Sequence, residues 1–179
     1  RITVTLKDRR KLEADVVAAD PAFDVAVLKI ASAKDLPVAT LGNSEGLMPG
    51  EPAIAIGNPF GLSNTVTTGV VSALHRSVQA GNRVYEDFIQ ADAAINPGNS
   101  GGALFDALGR LIGINTAIYQ SANGIGFAIP IDKAMAVVDE VLKYGEVRPV
   151  FLGLSVDRFG TGGAKVRRVY PGTPAADGS

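Results

Sequence analysis

Apolar and polar residues alternate with a period of two over much of the chain. Ile2, Val4 and Leu6 are separated by polar residues, Asp8-Arg9-Arg10 makes a polar break, and apolar positions resume over 12–18, which predicts a hairpin. Val- and Ile-rich runs at 24–30, 52–56, 65–74, 84–91, 111–118 and 124–129 predict further strands. Turn signals divide them, among them Gly57-Asn58-Pro59-Phe60-Gly61, Pro97-Gly98-Asn99 and the polar stretch 106–109. Short strands at this spacing point to a sandwich or barrel and away from an alternating strand-helix sheet. One segment has a different period. Ala134, Val137, Val138, Val141 and Leu142 recur at helical spacing within 132–144, with Asp132 placed as N-cap and Gly145 as the stop. Residues 146–150 then read as a linker. The Gly-rich tail 151–179 has strand-like runs at 152–156 and 164–170 and is too short for a core of its own, as expected of a truncated second domain.

Composition narrows the chemistry. The chain has 179 residues, of which 46% are hydrophobic, so disorder is excluded, and no apolar run approaches the roughly 20 residues of a membrane-spanning helix. Lys and Arg total 17 against 18 Asp and Glu, with no basic block to follow a phosphate backbone, which argues against nucleic acid as a partner. The absence of Cys removes thiolate nucleophiles and Cys-type zinc sites, without deciding the compartment. A single histidine, His75, cannot supply an ordinary zinc set, so no metal is expected.

The chemistry-bearing stretch is Asp92-Ala93-Ala94-Ile95-Asn96-Pro97-Gly98-Asn99-Ser100-Gly101-Gly102-Ala103-Leu104. Glycines on both sides of Ser100 allow a tight turn in which successive N–H groups converge, a geometry suited to a negatively charged oxygen. Gly98, Asn99 and Ser100 are the candidate oxyanion turn, with the Gly98 and Ser100 amides as its donors and Ser100 Oγ as nucleophile. From these residues alone, an ordinary glycine-rich β-turn is an equal reading.

The stretch resembles the nucleophile loop of chymotrypsin-like serine proteases. With residues 111–118 and 124–130 behind it, and Gly57-Asn58-Pro59-Phe60-Gly61-Leu62, Thr67-Thr68-Gly69-Val70-Val71-Ser72-Ala73 and Asp20-Pro21-Ala22-Phe23-Asp24-Val25-Ala26-Val27-Leu28-Lys29-Ile30 ahead of it, the chain closely resembles the HtrA (DegP/DegS-like) family over residues 1 to about 144. The resemblance implies an all-β fold of two antiparallel chymotrypsin-type barrels, the first truncated at its N-terminus, then one helix and a PDZ remnant. The expected divisions are 1–62 for the first barrel, 63–130 for the second, 131–150 for helix and linker, and 151–179 for the partial PDZ domain.

By the same resemblance Asp24 orients the catalytic histidine, while Asp20 is a turn former before Pro21. The family places that histidine ahead of a strand like residues 1–7, so the chain as given lacks the base, and His75, at a strand end, is not a replacement. Main-chain groups of Asn115, Thr116 and Ala117 are expected to pair with an extended peptide, and Ile95 and Ile118 to line a pocket for small or medium apolar residues. Plain core is the alternative for both isoleucines. Arg76, in an expected loop over 76–83, is the nearest match to a regulatory arginine. Phe151-Leu152-Gly153-Leu154 resembles a PDZ carboxylate-binding loop. The implied function is ATP-independent endoproteolysis of unfolded or damaged polypeptides, without a cofactor, by a homotrimer or larger assembly in the periplasm or cell envelope. A catalytically dead chaperone-like relative and a PDZ adaptor are the alternatives.

Overall fold

In the computed structural model, which describes residues 2–31, 36–58, 65–116, 124–148, 151–159 and 163–178, the alternating N-terminal residues form strands β1 (Ile2–Thr5), β2 (Lys11–Asp20) and β3 (Val25–Ile30). They make one antiparallel sheet in the order β1-β2-β3. Its first turn is set by Asp8, whose carboxylate accepts from the Arg10 backbone N–H at 3.1 Å and from Arg10 Nε at 2.7 Å. Ala14 and Val25 are buried, whereas Val16, Val17 and Leu28 are exposed. The expected first barrel is therefore, among the described residues, a three-stranded sheet.

The second barrel is closed. Strands β4 (Pro52–Gly57), β5 (Thr65–Ala80), β6 (Arg83–Ala91), β7 (Ala103–Phe105), β8 (Leu111–Thr116) and β9 (Gly126–Pro130) run around it in the order β4-β5-β6-β9-β8-β7. The strand at Pro52 was expected with the first barrel; its pairing with β5 on one side and β7 on the other puts it in the second. Inside, Ala53 and Ala55 leave room for Val71, Ile89, Leu104 and Ile112, all but inaccessible to solvent. Alternation of small and large inward residues is what lets a six-stranded barrel fill without voids.

The segment 76–83, expected as a loop, is mostly strand. β5 continues to Ala80 and β6 begins at Arg83, with Gly81 at φ 60° in the connecting turn. Val78 anchors this arm by packing into a second cluster with Phe88, Phe127 and Ile129. Polar residues on the opposite face made the segment look like a loop.

That second cluster also takes Ile131, Ala134 and Val137 from helix α1 (Ile131–Tyr144). Gly145 stops the helix as the sequence indicates, in the left-handed conformation at φ 78°, its N–H donating to the Val141 carbonyl. The N-terminal cap differs. Pro130 holds the cap position and Asp132 lies inside the first turn, where its carboxylate accepts from Ser44 and Glu45 instead of capping its own helix.

Contacts divide the chain into two units, Arg1–Val147 and Arg148–Ser179. The second contains strands β10 (Leu154–Phe159) and β11 (Gly163–Val169), paired antiparallel, and the one-turn helix α2 (Pro174–Asp177). Within it Thr173 Oγ1 donates to the Tyr170 carbonyl at 2.6 Å, and the Tyr170 N–H donates to the Gly153 carbonyl at 2.8 Å. Among the described residues, no helix is long and apolar enough to cross a membrane.

Candidate active site

Two consecutive β-turns carry Ser100. In the first, the Asn99 N–H donates to the Asn96 carbonyl at 2.9 Å, with Pro97 and Gly98 between them and Gly98 at φ 98°. In the second, the Gly102 N–H donates to the Asn99 carbonyl at 2.8 Å, with Ser100 and Gly101 between them and Gly101 at φ 81°. Proline followed by a positive-φ glycine is the chemistry of a type II turn. Gly101 and Gly102 are glycines for different reasons: Gly101 needs its φ, whereas a Cβ on Gly102 would overlap the Ile56 carbonyl. Repetition of the turn exposes Ser100 and buries Asn99 beneath it.

Of the three residues of the candidate oxyanion turn, Asn99 is the buried one. Its N–H is engaged by Asn96, and its side chain points inward, Nδ2 donating to the Ala94 carbonyl at 3.3 Å. The Gly98 and Ser100 amides flank it on the exposed turn.

Asp24 ends a turn built by Asp20. Asp20 Oδ1 accepts from the backbone N–H groups of Ala22 at 2.8 Å and Phe23 at 3.3 Å, the turn-forming role its sequence position suggested. Asp24 follows at φ 57°, exposed, immediately before the buried Val25 of β3. Around the turn, Arg83 donates to the Pro21 carbonyl at 3.4 Å, and an open groove of about 440 Å³ is lined by Pro21, Ala22, Arg83, Val84 and Tyr85.

The expected peptide-pairing strand is only partly as predicted. Asn115 is 1% exposed, and its main chain is already used: its N–H donates to the Gly102 carbonyl at 2.8 Å and its carbonyl accepts from the Gly101 N–H at 2.9 Å. It is a tether for the serine turn and offers no free edge to a peptide. Thr116 is also buried and pairs with Phe127 of β9. Ala117 and Ile118 lie outside the described residues. Ile95 is half-buried against the barrel core, over Gly126, where any Cβ would press on it.

Arg76 stands in β5, its Nε donating to Gln90 Oε1 at 3.0 Å across the strand pair, so it is not on a loop. His75 Nδ1 lies 2.6 Å from Asp87 Oδ1, with the His75 side chain 83% exposed. Both residues have positive φ where the register of β5 and β6 shifts. Among the described residues, no three His, Cys, Asp or Glu side chains are grouped as a metal site. Sequence reasoning missed the tether. A polar Asn on the buried side of an otherwise apolar strand was the available signal.

A family model described as a trypsin-like peptidase domain matches residues 1–114. The chain belongs to the trypsin-like peptidases, in the HtrA/DegP family. It is 45% identical over 186 residues to "Protease Do-like 1, chloroplastic" of Arabidopsis thaliana, covering 97% of this chain and 42% of that relative. It is also 45% identical over 188 residues to a "Probable periplasmic serine endoprotease DegP-like" of Marinomonas sp. (strain MWYL1), covering 97% and 39%. Among solved structures, "HtrA-type protease AlgW with decapeptide" superposes with a TM-score of 0.82 at 48% identity, covering 98% of this chain and 58% of that one. The chain thus spans less than half the length of these two curated relatives. Its all-β, chymotrypsin-like architecture with one long helix is that of the HtrA-type structures.

Proposed function

We propose that Ser100 is the nucleophile of an ATP-independent serine endopeptidase that cleaves unfolded or damaged polypeptides. The observation that carries this reading is the double turn, which places the exposed Ser100 between two glycine-permitted bends pinned to β8. In the intact enzyme a histidine takes the hydroxyl proton as Oγ bonds to the scissile carbonyl carbon, and Asp24 holds that imidazole in the productive tautomer. The Gly98 and Ser100 amides receive the negative oxygen. Collapse expels the amine, which takes the proton from histidine, and water then hydrolyses the acyl-enzyme.

We read the base as a histidine outside these 179 residues; that their one histidine faces Asp87 on the β5–β6 arm supports this reading. The 179 residues alone are accordingly expected to show no useful proteolysis. Ile95, with Ile118, favours small or medium apolar side chains before the cut, and no acid is assigned there to attract Lys or Arg. We read residues 151–179 as the start of a PDZ domain, and a homotrimer or larger assembly in the periplasm or cell envelope as the working form. The likeness to an HtrA-type protease structure with a bound decapeptide supports a polypeptide substrate.

A fluorophosphonate probe on the full-length protein tests the proposal. Labelling at Ser100, lost in Ser100→Ala with the fold intact, is the expected result. A folded protein that resists the probe would instead favour the chaperone-like or adaptor reading.

A further inference from the structure

We infer that Asn115 is a positioning residue for the reactive serine turn; this rests on the protease reading of Ser100. Four hydrogen bonds converge on it from three segments. Its Nδ2 donates to the Ile56 carbonyl of β4 at 3.1 Å and to the Ala103 carbonyl of β7 at 3.0 Å. Its backbone takes the Gly101 N–H and gives its own N–H to the Gly102 carbonyl. One side chain therefore fixes the spacing of β4 and β7 at the place where its main chain holds the two residues after Ser100.

Asn99 completes the underside. It is 3% exposed, its carbonyl accepts from the Gly102 N–H, and its Oδ1 packs so closely on Gly57 that no Cβ fits there. The turn is thus floored by two buried amides. Among the described residues, neither Asn99 Oδ1 nor Asn115 Oδ1 has a hydrogen-bond partner, a burial that costs stability. A residue kept only for packing at the Asn115 position would be apolar, like its neighbours Ile112 and Ile114. What an Asn adds over an aliphatic side chain is the pair of directed donations, and these act on the seating of Gly101 and Ser100.

The test uses full-length protein. Asn115→Ala is expected to slow fluorophosphonate labelling of Ser100 by about 10- to 100-fold, the scale of one or two directed hydrogen bonds acting on a reacting group. Peptide hydrolysis should lose kcat with little change in KM. Asn115→Asp supplies a readout that packing does not: its carboxyl faces two carbonyl oxygens and donates only when protonated. Its labelling rate relative to wild type should rise as pH falls, the ratio cancelling titration of the shared base. Amide exchange at Gly101 reads the seating without chemistry, protected in the wild type and faster in both variants. Wild-type labelling rates in the variants, or a flat pH ratio, would overturn the inference. Should Asn115→Ala not fold, Asn115→Asp and the Gly101 exchange decide it. If the folded wild type resists the probe while Gly101 exchange behaves as stated, the protease reading fails and the tether stands.

Discussion

The Lys133 ammonium lies 4.6 Å from the centroid of the Phe23 ring and donates to the Glu86 carbonyl at 2.8 Å. One side chain from the first turn of α1 thereby holds the turn that carries Asp24 against β6. Its Nζ also sits 4.0 Å from Asp87 Oδ2, and the side chain is only 20% exposed, so the ring interaction operates with water partly excluded.

From this clamp, Lys133→Ala is expected to lower the unfolding free energy by about 1 kcal/mol, combining the cation–π contact with one hydrogen bond. Lys133→Arg retains the ring contact and should recover most of the loss. Urea denaturation of Lys133→Ala, Phe23→Leu and the double variant gives the coupling, expected at about 0.5–1 kcal/mol. Strict additivity would show that the contact contributes nothing.

A second latch makes a pH prediction. Asp132 Oδ2 accepts from the Ser44 hydroxyl and from the N–H groups of Ser44 at 2.6 Å and Glu45 at 3.2 Å. Led by the Ser44 hydroxyl, these bonds hold the Asp132 carboxyl below its ordinary value of 3.8, outweighing partial burial. A folded pKa below the unfolded one means that the charged form stabilises the fold. That contribution is complete above about pH 4 to 5 and is lost as pH falls through the folded value. Asp132→Asn should therefore cost about 1–2 kcal/mol near neutral pH, and the gap to wild type should close in acid. Asp106 titrates in the same direction: burial opposes ionisation, but bonds from Arg110 and Leu108 outweigh it. The comparison of wild type with Asp132→Asn cancels that second group. A gap constant from pH 7 to pH 2 would refute the latch.

What the sequence made legible was local. The alternation of residues 2–6, the helical spacing from Ala134 to Val141 and the Gly145 stop each depend on a few adjacent residues, and each is where it was expected. The serine turn was legible for the same reason, since Pro97, Gly98 and Gly101 encode their own φ values. Features set by distant partners were not. The side of β4 facing β5 and the side facing β7 look the same along the chain, so the allegiance of Pro52–Gly57 to the closed barrel follows only from pairing. Asp132 was a plausible cap until Ser44, 88 residues away, claimed its carboxylate. Asn115 read as an exposed edge because nothing in Leu111-Ile112-Gly113-Ile114-Asn115 states that Gly101 and Gly102 have already taken its main-chain groups.

The glycines beneath the serine turn yield a prediction that separates conformation from packing. Gly57 and Gly102 do not have the positive φ of Gly98 or Gly101, so backbone strain does not explain them. Their Cβ positions are filled: Gly57 by Asn99 Oδ1, and Gly102 by the Ile56 carbonyl and the Asn99 carbonyl. Each neighbour is held in place, Asn99 by its turn bonds and Ile56 by β4 pairing, so neither can withdraw cheaply. Gly102→Ala is expected to destabilise by about 2–3 kcal/mol, and Gly57→Ala by somewhat less, because Asn99 meets it with a side chain as well as backbone. Gly50, by contrast, has open space around its Cβ position and φ 96°, so Gly50→Ala should cost only the backbone term, about 1 kcal/mol. Thermal unfolding of the three variants in full-length protein checks the order. Equal losses at all three would mean that overlap at the serine turn is relieved by movement, and that the turn is not held as rigidly as its hydrogen bonds require.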